Sequence, residues 1–458
     1  MFRFAYFAAL CAMTAFTKWS IADEITPRPE RCPDQISYKS DTDPAYKYLE
    51  EQQHSIYRQN PSLTDPYSRA ELEKPRSVNT FAELLARARK ACPNPALRKQ
   101  CALDPDLVVE MMKTLPCLAL PTRFEAPLFI SLINLYLKDL DKVRLKKFPR
   151  SPETRFGSLP TGTLDAQAIL PPGIKNPVVI LNRDLFFFTG AMSKAITDSI
   201  PITVGASVGL DYSKSAIRNR LHEHPYIVEN FADAMVRLVR EGSSAGAIEV
   251  TLDETHNHLH ARLVTAMDQF LISHEEAHVI LAHVSDQSVQ FYMAGSHKND
   301  KPATAQARGD RSTHVLPLAP NTQAEDPSAI LKAQLRTRKQ ELEADALGFK
   351  LMIWSAEQED DPIKIMVAAA APHMTFRILD AANAYGTEAG GWKFSDVNHP
   401  TAADRIKALA PVFAEVAKTD LQLQEADFRD AFDAAFTVLL AEADPQIRKR
   451  LGLALKKR

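Results

Sequence analysis

The stretch SHEEAHVILAH, residues 273–283, sets two histidines four positions apart, with a glutamate directly after the first, inside an otherwise apolar run. On a helix, residues four apart lie on one face, one turn apart. His274 and His278 can therefore offer two imidazole nitrogens to one ion, while Glu275 projects to the side, within reach of a water beside it. The flanks Phe270, Leu271, Ile272, Val279, Ile280 and Leu281 bury such a helix, and burying two histidines and two glutamates without partners is costly. A metal removes that cost. The competing reading is a structural helix whose histidines bond to neighbouring carbonyls and whose glutamates face water.

Zinc takes nitrogen and oxygen ligands at about 2.0–2.2 Å, and a catalytic site needs three protein ligands with one position left open. Two histidines are therefore not enough. A third histidine at the metzincin spacing would require Gly at 281 and His at 284, where this chain has Leu281 and Val284. His283, nine residues after His274, lies half a turn from the ligand face. A carboxylate from elsewhere is needed, and KQELEADALGF, residues 339–349, supplies a candidate. Glu341 and Asp345 share a helix face, with Glu343 pointing elsewhere, so Glu341 can coordinate the ion while Asp345 stands behind the ligands and orients them. Taken alone, the segment reads equally as a solvated charged face with ordinary pairing along the helix.

A third stretch, VNHPTAADRIKAL at 397–409, places His399 before a proline and Arg405 six positions after it. HEEAHVILAH at 274–283, ELEADALG at 341–348 and HPTAADRI at 399–406, in that order, resemble the motifs of the gluzincin metallopeptidase family that includes HtpX and the CAAX prenyl proteases. The resemblance covers roughly residues 175 to 410. It implies that His274, His278 and Glu341 hold one zinc ion, that Glu275 acts on the water, that Asp345 pairs with Arg405, and that His399 faces the substrate and helps stabilise the oxyanion. It also implies a zincin-like core and a polypeptide substrate, such as an unfolded or misassembled protein. Typical family members carry transmembrane helices that this chain lacks, and the strand that usually precedes the first motif is not recognisable. AIEVTLDE (247–254) and VVILNRDL (178–185) are the candidates for a substrate-binding edge strand.

The remaining chain of 458 residues, with a formal charge of -2, has an ordinary globular composition. Its near-neutral balance argues against nucleic acid as a partner, because phosphate binding needs a concentrated basic surface. MFRFAYFAALCAMTAFTKWSIADE (1–24) has the charged start, short apolar run and small-residue exit of a secretory signal peptide, expected over 1–22. The protein is accordingly expected to be exported, periplasmic or secreted, without a membrane span. Cys32, Cys92, Cys101 and Cys117 then form an even set suited to two disulfides, with three possible pairings.

The fold class expected is α+β and predominantly helical. A helical, cysteine-containing accessory domain is expected over 23–160, with helices in TFAELLARARKAC (80–92) and PDLVVEMMKTL (105–115). A metallopeptidase domain with a small sheet is expected over 161–410, and a C-terminal helical segment over 411–458. The Pro- and Gly-rich run at 151–177 marks a loop and boundary, VVILNRDLFFF (178–188) reads as one or two strands, and HPYIVENFADAMVRLVREG (224–242) as an amphipathic helix. The polar segment at 285–327 is a candidate lid. His256, His258 and His260 alternate in THNHLH and read as the solvated start of a helix, with metal binding as the lesser alternative. The rival function is an exported binding or chaperone-like protein whose metal, if any, is structural. Oligomeric state is not readable.

Overall fold

The structure is a computed structural model, and it describes residues 38–59, 86, 119–160, 166–204, 208–244, 252–284, 327–359, 361–390, 400–416 and 419–455. The leader, the four cysteines, the helices expected at 105–115 and (residue 86 apart) at 80–92, most of AIEVTLDE, the polar insertion before Pro327, and His399 lie outside these residues. The described chain is mostly helical with a small three-stranded sheet.

VVILN is a run of five apolar or amide side chains with no alternation, the pattern of a strand covered on both faces. It forms β3 (Val178–Asn182), the centre of the sheet, with β1 (Arg155–Leu159) parallel on one side and β2 (Ala166–Ile169) antiparallel on the other. Its two faces serve two cores. Val179 and Leu181 join the main helical core, while Val178 and Ile180 pack with Ala45, Leu49 and Ile56 of α1 (Pro44–Gln59). The run at 151–177, expected as a loop, thus holds two strands. Its prolines and glycines punctuate strands too short for periodicity to reveal, and β1 before residue 160 and β2 after it both pair with β3.

The strand reading of 178–188 also stops early. Asn182 accepts a hydrogen bond from the Asp184 N–H and caps α3 (Arg183–Asp198), so the aromatic residues after it are helical. A β-propensity bias in Phe-rich sequence yields here to a capping side chain. Arg183, fully buried, donates to Ser158 Oγ at 2.7 Å and to the Phe124 carbonyl at 2.5 Å, and lies 3.5 Å from Glu125. Burial pushes the Glu125 carboxyl up to about 7, against hydrogen bonds from Ser158 and Gln53 that favour its charged form. Strand, helix start and α1 are tied together at this point.

A small hairpin, β4 (Ile202–Val204) and β5 (Val208–Leu210), leads into α4 (Lys214–Glu223) and α5 (Tyr226–Glu241), which ends on Gly242 in the left-handed conformation. The main core is built from α2 (Pro127–Lys147), α3 and α5, together with α6 (Glu254–Ile280), α7 (Pro327–Ala356), α8 (Pro362–Glu388), α9 (Ala402–Val416) and α10 (Thr419–Leu451). The closing helix α10 shares this core: Phe432, Phe436, Leu439 and Ile447 are buried, and Arg448 is buried between Glu388 and Asp444. Among the described residues, no helix is long and apolar enough to cross a membrane.

Helix α6 runs through the middle. Asp253 caps its start by accepting from the His256 N–H at 3.0 Å. His256 and His260, expected at a solvated helix start, are buried instead: His256 is held by Asp253 and the Ile200 carbonyl, and His260 lies 3.1 Å from Ser193 Oγ. Alternation hid this because the helical turn carries 256 and 260 onto the inner face. Further along, Asp268 is buried against Thr189 and Tyr136, and burial raises its pKa well above the ordinary value. With the folded pKa above the unfolded one, the stability that Asp268 contributes is full below about pH 4 and is lost as pH rises through the folded pKa. Asp268→Asn is therefore expected to raise the melting temperature relative to wild type more at pH 8 than at pH 4.5. An equal shift at both pH values would contradict a neutral buried carboxyl.

Candidate metal centre

The site forms where α6 meets α7. The four-residue spacing places His274 and His278 on one face of α6, and Glu341 and Asp345 on the facing side of α7. The helices approach closely because of Gly348: a Cβ there would sit 2.8 Å from the backbone N and Cα of His274. That is backbone against backbone, with nothing able to swing aside.

This approach brings three donor groups together. His278 Nε2 lies 3.2 Å from His274 Nε2 and 3.4 Å from Glu341 Oε1, and His274 Nε2 lies 3.5 Å from Glu341 Oε2. Ligand atoms about 2.05 Å from a tetrahedral ion are separated by roughly 3.3 Å, and each pairwise approach of the three groups is close to that, the two imidazoles facing different oxygens of Glu341. His274 and Glu341 are buried, His278 is half-buried, and the three residues could hold a metal ion. The residues present fit a metal ion such as zinc by donor type and number.

Charges behind the triangle hold it in place. His274 Nδ1 lies 2.9 Å from Asp345 Oδ1, off the line of a well-directed hydrogen bond. Asp345, with no exposed surface, is gripped by Arg405 through Nε to Oδ2 at 2.7 Å and Nη2 to Oδ1 at 2.5 Å. Arg405 is delivered by α9, whose first turn is capped by Thr401 accepting from the Asp404 N–H. Its guanidinium stacks 4.1 Å from the ring centre of Phe376 on α8, which packs edge-on against Phe270 of α6. Phe270 and Phe376 were not readable as site residues, since an aromatic in an apolar helix carries no mark of what it supports.

Burial raises the Asp345 pKa, but Arg405 and His274 outweigh it and the carboxyl is held below its usual range. For His274, burial pulls the pKa down, while contacts with Asp345 and Glu341 more than compensate and lift it to about 10. Burial pushes the Glu275 pKa upward, opposed by the two imidazoles and by the Ala168 backbone N–H, which donates to its carboxylate. Ala168 belongs to β2, so the strand beside Glu275 is AQAI (166–169). VVIL is the central strand, flanked on both sides, and residues 247–251 of the other candidate lie outside the described structure.

Glu276, the second glutamate of the opening stretch, turns away from the triangle. Arg144 of α2 lies 3.1 Å from its Oε1, and Thr154 donates to the same oxygen. Burial still pushes its pKa up to about 7. Arg144, from the N-terminal region, thus offsets only part of its burial cost, and its second oxygen, Oε2, is buried without a hydrogen-bond partner among the described residues.

His283 is not one of the three donors. Helix α6 ends in a left-handed turn at Ala282 (φ 54), with the His283 N–H bonded to the His278 carbonyl and the Ala282 N–H to the Val279 carbonyl. This Schellman reversal folds His283 back, so that its Nδ1 lies 3.2 Å from His278 Nδ1 and its Nε2 lies 3.3 Å from Glu343. Helical extrapolation past Ile280 missed the contact because the helix had already stopped.

Comparisons of the chain with protein-family models, curated proteins and solved structures gave no match. The geometry carries its own test at the helix crossing. Gly348→Ala is expected to cost about 1–3 kcal/mol of stability by forced separation of α6 and α7, and to disturb any metal binding by the donor group, as read by denaturant unfolding and by titration with divalent metal ions. Unchanged values in both would show that the crossing does not set the site.

Proposed function

We propose that this chain is a zinc-dependent endopeptidase of the gluzincin type, with a polypeptide substrate, acting in an exported compartment. The observation that carries the reading is the convergence of two imidazoles and one carboxylate from separate helices at zinc-ligand spacing, with a buried glutamate adjoining one of the imidazoles. The leader-like start and the four cysteines beyond it support the compartment.

A divalent cation held by His274, His278 and Glu341 would supply a Lewis acid that polarises the scissile carbonyl and makes a nearby water a better nucleophile. Glu275 accepts the proton of that water and later passes it to the leaving amine. Burial raises its pKa above the ordinary carboxylate value, which makes it a better proton acceptor than an exposed glutamate. Asp345, fixed by Arg405, keeps His274 oriented. The peptide is laid along β2, whose outer edge reaches the Glu275 carboxylate at Ala168; strand addition of this kind aligns a backbone without demanding a particular sequence. His399, by its place in HPTAADRI, is proposed to help stabilise the oxyanion.

The test separates base from ligand. Glu275→Gln is expected to lower turnover of a denatured, labelled casein by at least about 100-fold while retaining one zinc per chain. Glu341→Ala is expected to lose the zinc itself. Full activity in the first variant, or full zinc occupancy in the second, would overturn the assigned roles. Stoichiometric zinc with no metal-dependent cleavage by wild type would instead favour a binding protein with a structural metal.

A further inference from the structure

The two imidazoles of the site are braced differently. His274 turns its second nitrogen to Asp345 directly, whereas His278 turns its own to another imidazole. The series runs Glu343 Oε2, 3.3 Å, His283 Nε2; then His283 Nδ1, 3.2 Å, His278 Nδ1; then His278 Nε2, which faces His274 and Glu341. We propose that His283 is a positioning residue for the metal centre, passing the hydrogen-bond polarity of Glu343 to His278 so that the Nε2 lone pair of His278 points into the site. The inference rests on His274, His278 and Glu341 holding a cation.

The argument follows from what each atom can do. An ionised carboxylate only accepts hydrogen bonds, and a neutral imidazole has one donor and one acceptor nitrogen. Glu343 therefore makes His283 Nε2 the donor. The Nδ1 of His283 is then the acceptor, and the hydrogen between the two rings belongs to His278 Nδ1. This leaves His278 Nε2 bare for a cation. Reversing the hydrogen bonds would put hydrogen on His278 Nε2 and close that position. Ligating histidines commonly donate their other N–H to a carboxylate or carbonyl, and here an interposed ring extends the reach from His278 to Glu343.

The fold has invested in the contact. Only the left-handed Ala282, a conformation disfavoured for a residue with a Cβ, brings the chain back over the end of α6. Glu343 is two residues from Glu341, on a different side of α7, so one helix supplies both a ligand and the end of the series. The His283 side chain is only 9% exposed, which shields the inter-ring hydrogen bond from competition by water.

The substitutions His283→Leu and His283→Asn divide packing from polarity. Leucine fills the space without an acceptor, while the asparagine oxygen can stand near the position of Nδ1. Zinc dissociation constants from chelator competition, visible spectra of the cobalt-loaded proteins and melting temperatures of the metal-free proteins are measured for both and for wild type. His283→Leu is expected to bind zinc about 10–100-fold more weakly and to shift the cobalt bands, with the metal-free melting temperature near wild type. His283→Asn is expected to recover affinity to within a few-fold and to restore the bands. Wild-type affinity in His283→Leu, or equal losses in both variants, would overturn the inference while leaving the metal centre intact. Failure of wild type to bind either metal would overturn both.

Discussion

The backbone contact between Gly348 and His274 is the constraint on which the rest of the site depends. Two helices normally stand apart by the depth of the side chains between them. At this crossing one partner has no side chain, and α7 comes against the main chain of α6 at the residue that begins the donor pair. The spacing of Glu341 and Asp345 from Gly348 then does the rest: one turn above the contact a carboxylate meets His274, and a further turn away another reaches both imidazoles. A site assembled this way inherits the rigidity of two long helices, which suits chemistry that tolerates little displacement of its reacting groups.

Such a site gathers charge that apolar surroundings do not tolerate unaided. Glu275, Glu341 and Asp345 are all buried near His274, and Arg405 grips Asp345 from behind. Arg405 is committed to Asp345 through two hydrogen bonds, so the carboxylates at the front still call for positive charge. A metal ion held by His274, His278 and Glu341 would answer that demand. Glu276 shows the same demand on the opposite side of α6, where Arg144 meets part of it. Through this pair, and through β1, the N-terminal part of the described chain is built into the structure that supports the site.

Much of the site was legible because it is written in helical spacing. His274 with His278, and Glu341 with Asp345, are i,i+4 pairs whose shared faces follow from the turn of the helix. What escaped was short or irregular. The strands β1 and β2 are five and four residues long, set among prolines and glycines that speak for a loop. Asn182 turned an aromatic run from strand into helix with one capping bond. His283 depends on a left-handed residue that is alanine, whereas glycine is the residue that usually announces such a turn. The aromatic support of Arg405 by Phe376 joins residues far apart in sequence, which spacing along one element cannot reveal.

The most direct measurement is X-ray absorption spectroscopy of the zinc-loaded wild-type protein. One ion per chain, surrounded by about four nitrogen and oxygen neighbours near 2.0 Å with the outer-shell scattering of two imidazole rings, is the result expected from His274, His278 and Glu341. A shell containing sulfur, or one lacking two imidazoles, would contradict it.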